Sequence, residues 1–151
     1  MAAIEIVRES DLRELLPLMR GYCDFYSVSP ADDDLLAMAR ALIADPEREG
    51  FQVIGRDGDS NHAMGFATVF WSWETSSASR IGVMNDLFVL PVARGSGLAD
   101  ALIGACADRV REGGGTALTW VTARDNERAQ RVYDRVGGRR EERWLTYSLD
   151  L

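Results

Sequence analysis

Apolar and polar residues alternate with a period of two over Ile4 to Val7, the mark of a strand with one buried face. The period then lengthens. Leu12, Leu15, Leu16 and Met19 recur at three and four, one face of a helix, and Asp11 with Glu14 three residues on reads as a capping box opening it. Ser29 and Pro30 offer a cap and a first-turn proline for a second helix, whose inner face carries Leu35, Leu36, Met38, Ala39, Leu42 and Ile43 and which ends near Asp45 and Pro46. Asp32, Asp33 and Asp34 suit the positive end of its dipole. Phe51 to Ile54 and Met64 to Trp73 are β-rich runs around an Asp57, Gly58, Asp59 turn signal, which predicts a hairpin. Ile81 to Val89 adds a third antiparallel strand. From Gly97 to about Arg111 the helical period returns through Ala99, Ile103, Cys106 and Val110, and Gly113 to Gly115 stops it. A strand over Ala117 to Thr122 makes a parallel crossover with the strand before. Asp125 or Asn126 caps a last helix that runs through Val136 to a stop at Gly137 and Gly138, and Tyr147 to Leu149 is expected to close the sheet.

At 151 residues and 46% hydrophobic content, the chain is expected to form one mixed α/β domain over 1–151. It holds no run of 18 apolar residues and no apolar leader, so no membrane association and a cytoplasmic location are expected. Cys23 and Cys106 each fall in a helical segment, where the expected role is a small buried hydrophobe. With His62 as the one histidine, no metal site is expected. A net charge of -7 disfavours nucleic acid, whose binding needs a basic stripe, and fits a cationic small molecule better. All 17 basic residues are arginine, which excludes a lysine nucleophile.

The segment from Asn85 to Ala99 runs from a strand through a glycine-bearing loop into a helix N-terminus, a layout that makes an anion site. Gly95 and Gly97 lack the Cβ that keeps a ligand off the backbone, and Arg94 adds charge. A plain strand-to-helix turn would also use glycine. The lysine and hydroxyl of a P-loop are missing, and a dinucleotide loop belongs on the first strand of a parallel unit. The spacing Arg94, Gly97, Ala99 resembles the Arg/Gln-x-x-Gly-x-Gly/Ala signature of the GNAT superfamily of N-acetyltransferases. The likeness extends to the lead-in from Asp86 to Pro91, to Asn126, Ala129 and Tyr133, and to the Gly137, Gly138 stop. Gly65 to Ala67 and the run from Arg143 to Leu149 look most like the diamine (spermidine/spermine) and thialysine branch.

This resemblance implies a GNAT fold, a single mixed central sheet of about six or seven strands flanked by helices on both faces, and acetyl-coenzyme A as cosubstrate. It further implies that the backbone of Leu87 and Val89 binds the pantetheine arm. The amides of Arg94, Gly95, Ser96, Gly97, Leu98 and Ala99 would take the pyrophosphate, Asn126 would bond the arm, and Tyr133 would protonate the departing thiolate. A primary amine of a small molecule would attack directly in a ternary complex. The branch carries a glutamate where this chain has Asn85, and an asparagine cannot take a proton, so either a water chain ends on another carboxylate such as Asp86 or Glu74, or the substrate amine has a pKa low enough to need little help. For the acceptor, Asp24, Tyr26, Trp71, Trp73 and Glu74 offer carboxylates and aromatic faces that attract a cation, although the tryptophans suit a core or a dimer interface equally. A homodimer is a further expectation by resemblance. The competing readings are a peptide or protein N-acetyltransferase and a non-catalytic acyl-coenzyme A-binding regulatory module.

Overall fold

Five strands pair in chain order in the computed structural model, which describes residues 2–151. They are β1 (Ala3–Ile6), β2 (Gly50–Arg56), β3 (Ala63–Glu74), β4 (Ser79–Val89) and β5 (Leu118–Thr119). The first four are antiparallel and β5 is parallel to β4. The helices are α1 (Leu12–Phe25), α2 (Asp32–Ala44), α3 (Leu98–Glu112) and α4 (Glu127–Arg135). Residues 1–121 and 122–151 form two compact units.

In the first unit α1 buries Leu12, Leu15, Leu18 and Met19 against Ile54, Phe66 and Phe88 of the sheet, joined by Leu35 and Ala39 of α2. Each such side chain contributes about 1.5–3 kcal/mol. Gly21 sets the approach, since a Cβ there would lie 2.6 Å from the Phe88 ring. The opposite face takes α3: Leu98 and Leu102 fill the space over Gly55 and Gly65, and Val110 fills that over Gly82.

A bulge decides which β4 side chains face which layer. Thr68 pairs with Asp86 but Val69 pairs with Met84, so Asn85 is the extra residue. Beyond it Asp86 and Phe88 share the α1 face; before it Gly82 lies against Val110 of α3.

Three local expectations change. Asp11 does not cap α1 with Glu14; its carboxylate accepts from the Arg8 N–H at 2.8 Å, at the head of a 3-10 turn over Glu9–Asp11. Asp11 and Glu14 instead hold the buried Arg56 guanidinium at 2.8 and 2.7 Å, because a buried cation demands partners more strongly than a helix end does. Ala31, not Ser29, is the N-cap residue of α2. No strand forms over Tyr147 to Leu149, which leaves five strands in the sheet rather than six or seven. Alternation there supplies an apolar face, but a strand also needs a neighbour's ladder bonds, and the side chains of this segment are exposed.

Candidate active site

The chain leaves β4 through Leu90 and a 3-10 turn over Pro91–Ala93, then crosses Arg94 to Gly97 into α3. Gly95 and Gly97 have φ of 80° and 86°, the left-handed region in which side chains are strained. Nothing lies within 4 Å of where a Cβ would stand on either. The first helical bond runs from the Ala101 N–H to the Gly97 carbonyl at 3.1 Å. The N–H groups of Leu98, Ala99 and Asp100 therefore precede the ladder and point out of the helix end. Leu98 is buried, so it offers backbone alone, and the Ser96 hydroxyl is spent on the Ala93 carbonyl at 2.6 Å. The result is an open backbone cradle at the positive end of a 15-residue helix, with Arg94 donating to the Val89 carbonyl at 3.3 Å. These donors fit a pyrophosphate.

β4 supplies the second part. Its ladder to β5 covers Gly82 and Val83 only, so from Met84 onward one edge of β4 has no strand beside it. The Leu90 N–H bonds the Met64 carbonyl at 2.8 Å, which by antiparallel alternation turns the amides of Leu87 and Val89 to the open edge. This edge leads from the bulge to the Arg94 loop.

Beside the bulge, Asp86 is only 7% exposed and its Oδ1 has no hydrogen-bond partner. Burial pushes its pKa up to about 6, while hydrogen bonds from Thr68 and Asn85 pull the other way. Tyr22 of α1 donates toward the Asn85 carbonyl at 3.5 Å. Thr68 in turn accepts from Gln52 Nε2 at 3.0 Å. No local motif in the sequence singles out Tyr22, Thr68 or Gln52. The available signal was polar residues at inward positions of otherwise apolar strand faces.

The expected acceptor residues separate into two groups. Tyr26 packs on Tyr22 with ring centroids 5.0 Å apart and on Phe25 at 5.1 Å, and Asp24 is exposed in the same turn at the end of α1. Asp32 is bound at 2.5 Å by Arg20, which ties α1 to the start of α2. Trp71, Trp73 and Glu74 lie elsewhere. Trp73 pairs with Arg80 and Glu74 with Ser79, five or six residues along β4 from Asn85, about 17–20 Å at strand spacing. Trp71 donates from its indole to the Pro46 carbonyl at 2.9 Å, lies under the Arg80 guanidinium at 3.8 Å and packs on Phe51. Trp73 is exposed at the hairpin, and Glu74 accepts from Ser77 at 2.9 Å.

In the second unit Asn126 caps α4, its Oδ1 accepting from the Ala129 N–H at 3.2 Å. Asn126, Ala129 and Tyr133 are half-buried on one helical face. Among the described residues no group of His, Cys, Asp or Glu could hold a metal ion, and no helix is long and apolar enough to cross a membrane.

The family model described as acetyltransferase (GNAT) family matches residues 12–138. The chain is 27% identical over 148 residues to the uncharacterized N-acetyltransferase YhfO of Bacillus subtilis (strain 168), covering 98% of this chain and 97% of the relative. It is 29% identical over 134 residues to the D-amino-acid N-acetyltransferase HPA3 of Saccharomyces cerevisiae, covering 88% and 82%. Among solved structures, a probable acetyltransferase superposes with a TM-score of 0.86 at 24% identity, covering 99% of this chain and 97% of that one. Aminoglycoside N-acetyltransferase AAC(6')-Iy in complex with CoA superposes at 0.83 with 21% identity, covering 100% and 96%.

Proposed function

The chain belongs to the GNAT family of acetyl-coenzyme A-dependent N-acetyltransferases, and from that premise we propose that its acceptor is the primary amine of a small cationic molecule. The observation that carries this reading is the aromatic and acidic end of α1, where Tyr22, Tyr26, Phe25 and Asp24 gather and Tyr22 reaches the bulge. Aromatic faces and a carboxylate attract a cation. The likeness to the diamine and thialysine branch supports it, as do the D-amino-acid and aminoglycoside acceptors named for the relatives.

Acetyl-coenzyme A supplies the activated acetyl group as a thioester. In this reading the cradle from Arg94 to Ala99 holds its pyrophosphate, the Leu87 and Val89 amides along the open edge hold the pantetheine arm, and Asn126 adds a bond to that arm. An amine with a lysine-like pKa must lose a proton, which costs roughly 4.6 kcal/mol at pH 7. Asp86, with a pKa of about 6, is the proton acceptor, reached through the bulge at Asn85. A backbone N–H of the strand stabilises the oxyanion, and Tyr133 gives its proton to the departing sulfur. A cytoplasmic homodimer completes the reading. Cys23 and Cys106 are free thiols, as suits a reducing compartment, and Trp144, Leu145, Tyr147 and Leu149 are exposed apolar residues that a second copy would cover.

The test is release of coenzyme A thiol from acetyl-coenzyme A against polyamines, amino acids, aminoglycosides and short peptides. One small-amine class is expected to turn over, at a rate that falls at least about tenfold in Tyr133→Phe. Binding of coenzyme A with no amine acetylated would move the protein to a non-catalytic acyl-coenzyme A module, and turnover of peptides alone would overturn the small-molecule reading.

A further inference from the structure

A polar row crosses the buried sheet face under α1. Gln52 of β2 pairs with Thr68 of β3, and Thr68 pairs with Asp86 of β4. The three are 2%, 0% and 7% exposed, set in a core of leucine, isoleucine and phenylalanine. A row of buried polar groups in such surroundings costs stability unless its members satisfy one another.

Their chemistry gives the row a direction. Gln52 Nε2 can only donate, and it reaches Thr68 Oγ1 at 3.0 Å and Met19 Sδ at 3.7 Å. Both partners are acceptors, so both amide hydrogens are used, and Gln52 Oε1 is left without a partner. Thr68 Oγ1 then accepts from Gln52, and its single proton is free to be given to the carboxylate paired with it across the ladder. An ionised carboxylate accepts only, and Asp86 keeps one oxygen, Oδ1, buried and without a partner.

We propose that Gln52 and Thr68 are positioning residues, a directional hydrogen-bond chain that orients Asp86 and keeps it a carboxylate ready to take the proton of the acceptor amine. This rests on the reading of Asp86 as the proton acceptor. The chain's effect on the carboxyl opposes that of burial: burial raises the Asp86 pKa, and the Thr68 hydrogen bonds lower it.

The groups around Asp86 leave its titration legible. The thiols of Cys23 on α1 and Cys106 on α3 are both raised, first by burial and then in part by Asp86 itself, Cys106 to about 12. Both therefore stay protonated from pH 4 to 8. Arg20 and Asp24 of α1 act on Cys23, with Arg20 paired to Asp32, and Tyr22 of α1 addresses the Asn85 carbonyl.

The experiment is a carboxyl-carbon NMR titration of the full-length protein, with Asp86 assigned as the signal lost in Asp86→Asn. It runs beside pH profiles of kcat/KM with 1,4-diaminobutane as acceptor, whose own titration is common to every variant. Thr68→Val removes a donor to the charged form, so the Asp86 titration should move to higher pH by at least about 0.5 unit. Thr68→Ser should return it to the wild-type value, and Gln52→Met should move it in the same direction by less. The acid limb of kcat/KM should follow each shift.

Coincidence of the Thr68→Val and wild-type titrations overturns the proposal, as does failure of Thr68→Ser to restore it. Should Thr68→Val not fold, an unshifted Asp86 signal in Gln52→Met has the same force. A shifted NMR titration with an unmoved acid limb is a different result: the chain then stands as a structural fact, and the reading of Asp86 as proton acceptor fails.

Discussion

The two ends of α3 are both glycine-rich and use glycine for opposite purposes. At the N-terminal end Gly95 and Gly97 take left-handed backbone and face open space. At the C-terminal end a Cβ on Gly113 would stand 2.6 Å from the Trp71 ring, and one on Gly115 would stand 2.5 Å from Val110. One pair leaves backbone open to solvent, the other makes room for the protein's own side chains. A glycine cluster in a sequence thus announces close approach of something to backbone without saying what.

The largest effect should come from the crowded end. Trp71 cannot retreat from a new methyl group, because its indole is bonded to Pro46 and covered by Arg80. Gly113→Ala is therefore expected to cost about 2–3 kcal/mol by overpacking, seen as a fall of several degrees in a calorimetric melt, with KM for acetyl-coenzyme A within about twofold of wild type. A rise in KM with unchanged stability would break the comparison.

At the open end the pattern should invert. Gly97→Ala meets no atom but must hold a left-handed φ, so about 1 kcal/mol of stability is expected to go, alongside a rise of about tenfold in KM for acetyl-coenzyme A as the cradle narrows. Steady-state kinetics at saturating amine checks this, and an unchanged KM would remove the pyrophosphate from this loop. The smallest effect is expected of Arg94→Ala, a rise of about threefold in the same KM that shrinks with added salt, because the side chain is exposed and screened.

Much of the fold is legible in the sequence. The helical period predicted α1 to α4 to within a few residues, and the Asp57 to Asp59 turn predicted the β2–β3 hairpin. The Arg94 to Ala99 loop announced itself because backbone conformation at a helix N-terminus is a local property, set by glycines within a few positions. The expected acceptor residues share a chemistry but not a place. Asp24 and Tyr26 share one turn of chain, but Trp71 and Trp73 were grouped with them on chemistry alone, and the β3–β4 hairpin carries them to the other end of the strand.

What the sequence determined by itself, then, is what short-range periodicity and local φ preference encode: the elements, their inward faces and the glycine-bearing turn into α3. Tertiary structure decided the rest. Only the register of β3 on β4 reveals that Asn85 is an extra residue, and that extra residue turns Asp86 inward to the face holding Thr68 and Gln52. Those three residues are separated by 16 and 18 positions in the chain. No local rule connects them, because a cross-strand hydrogen bond depends on pairing, and pairing is settled when the whole sheet and its covering helices assemble.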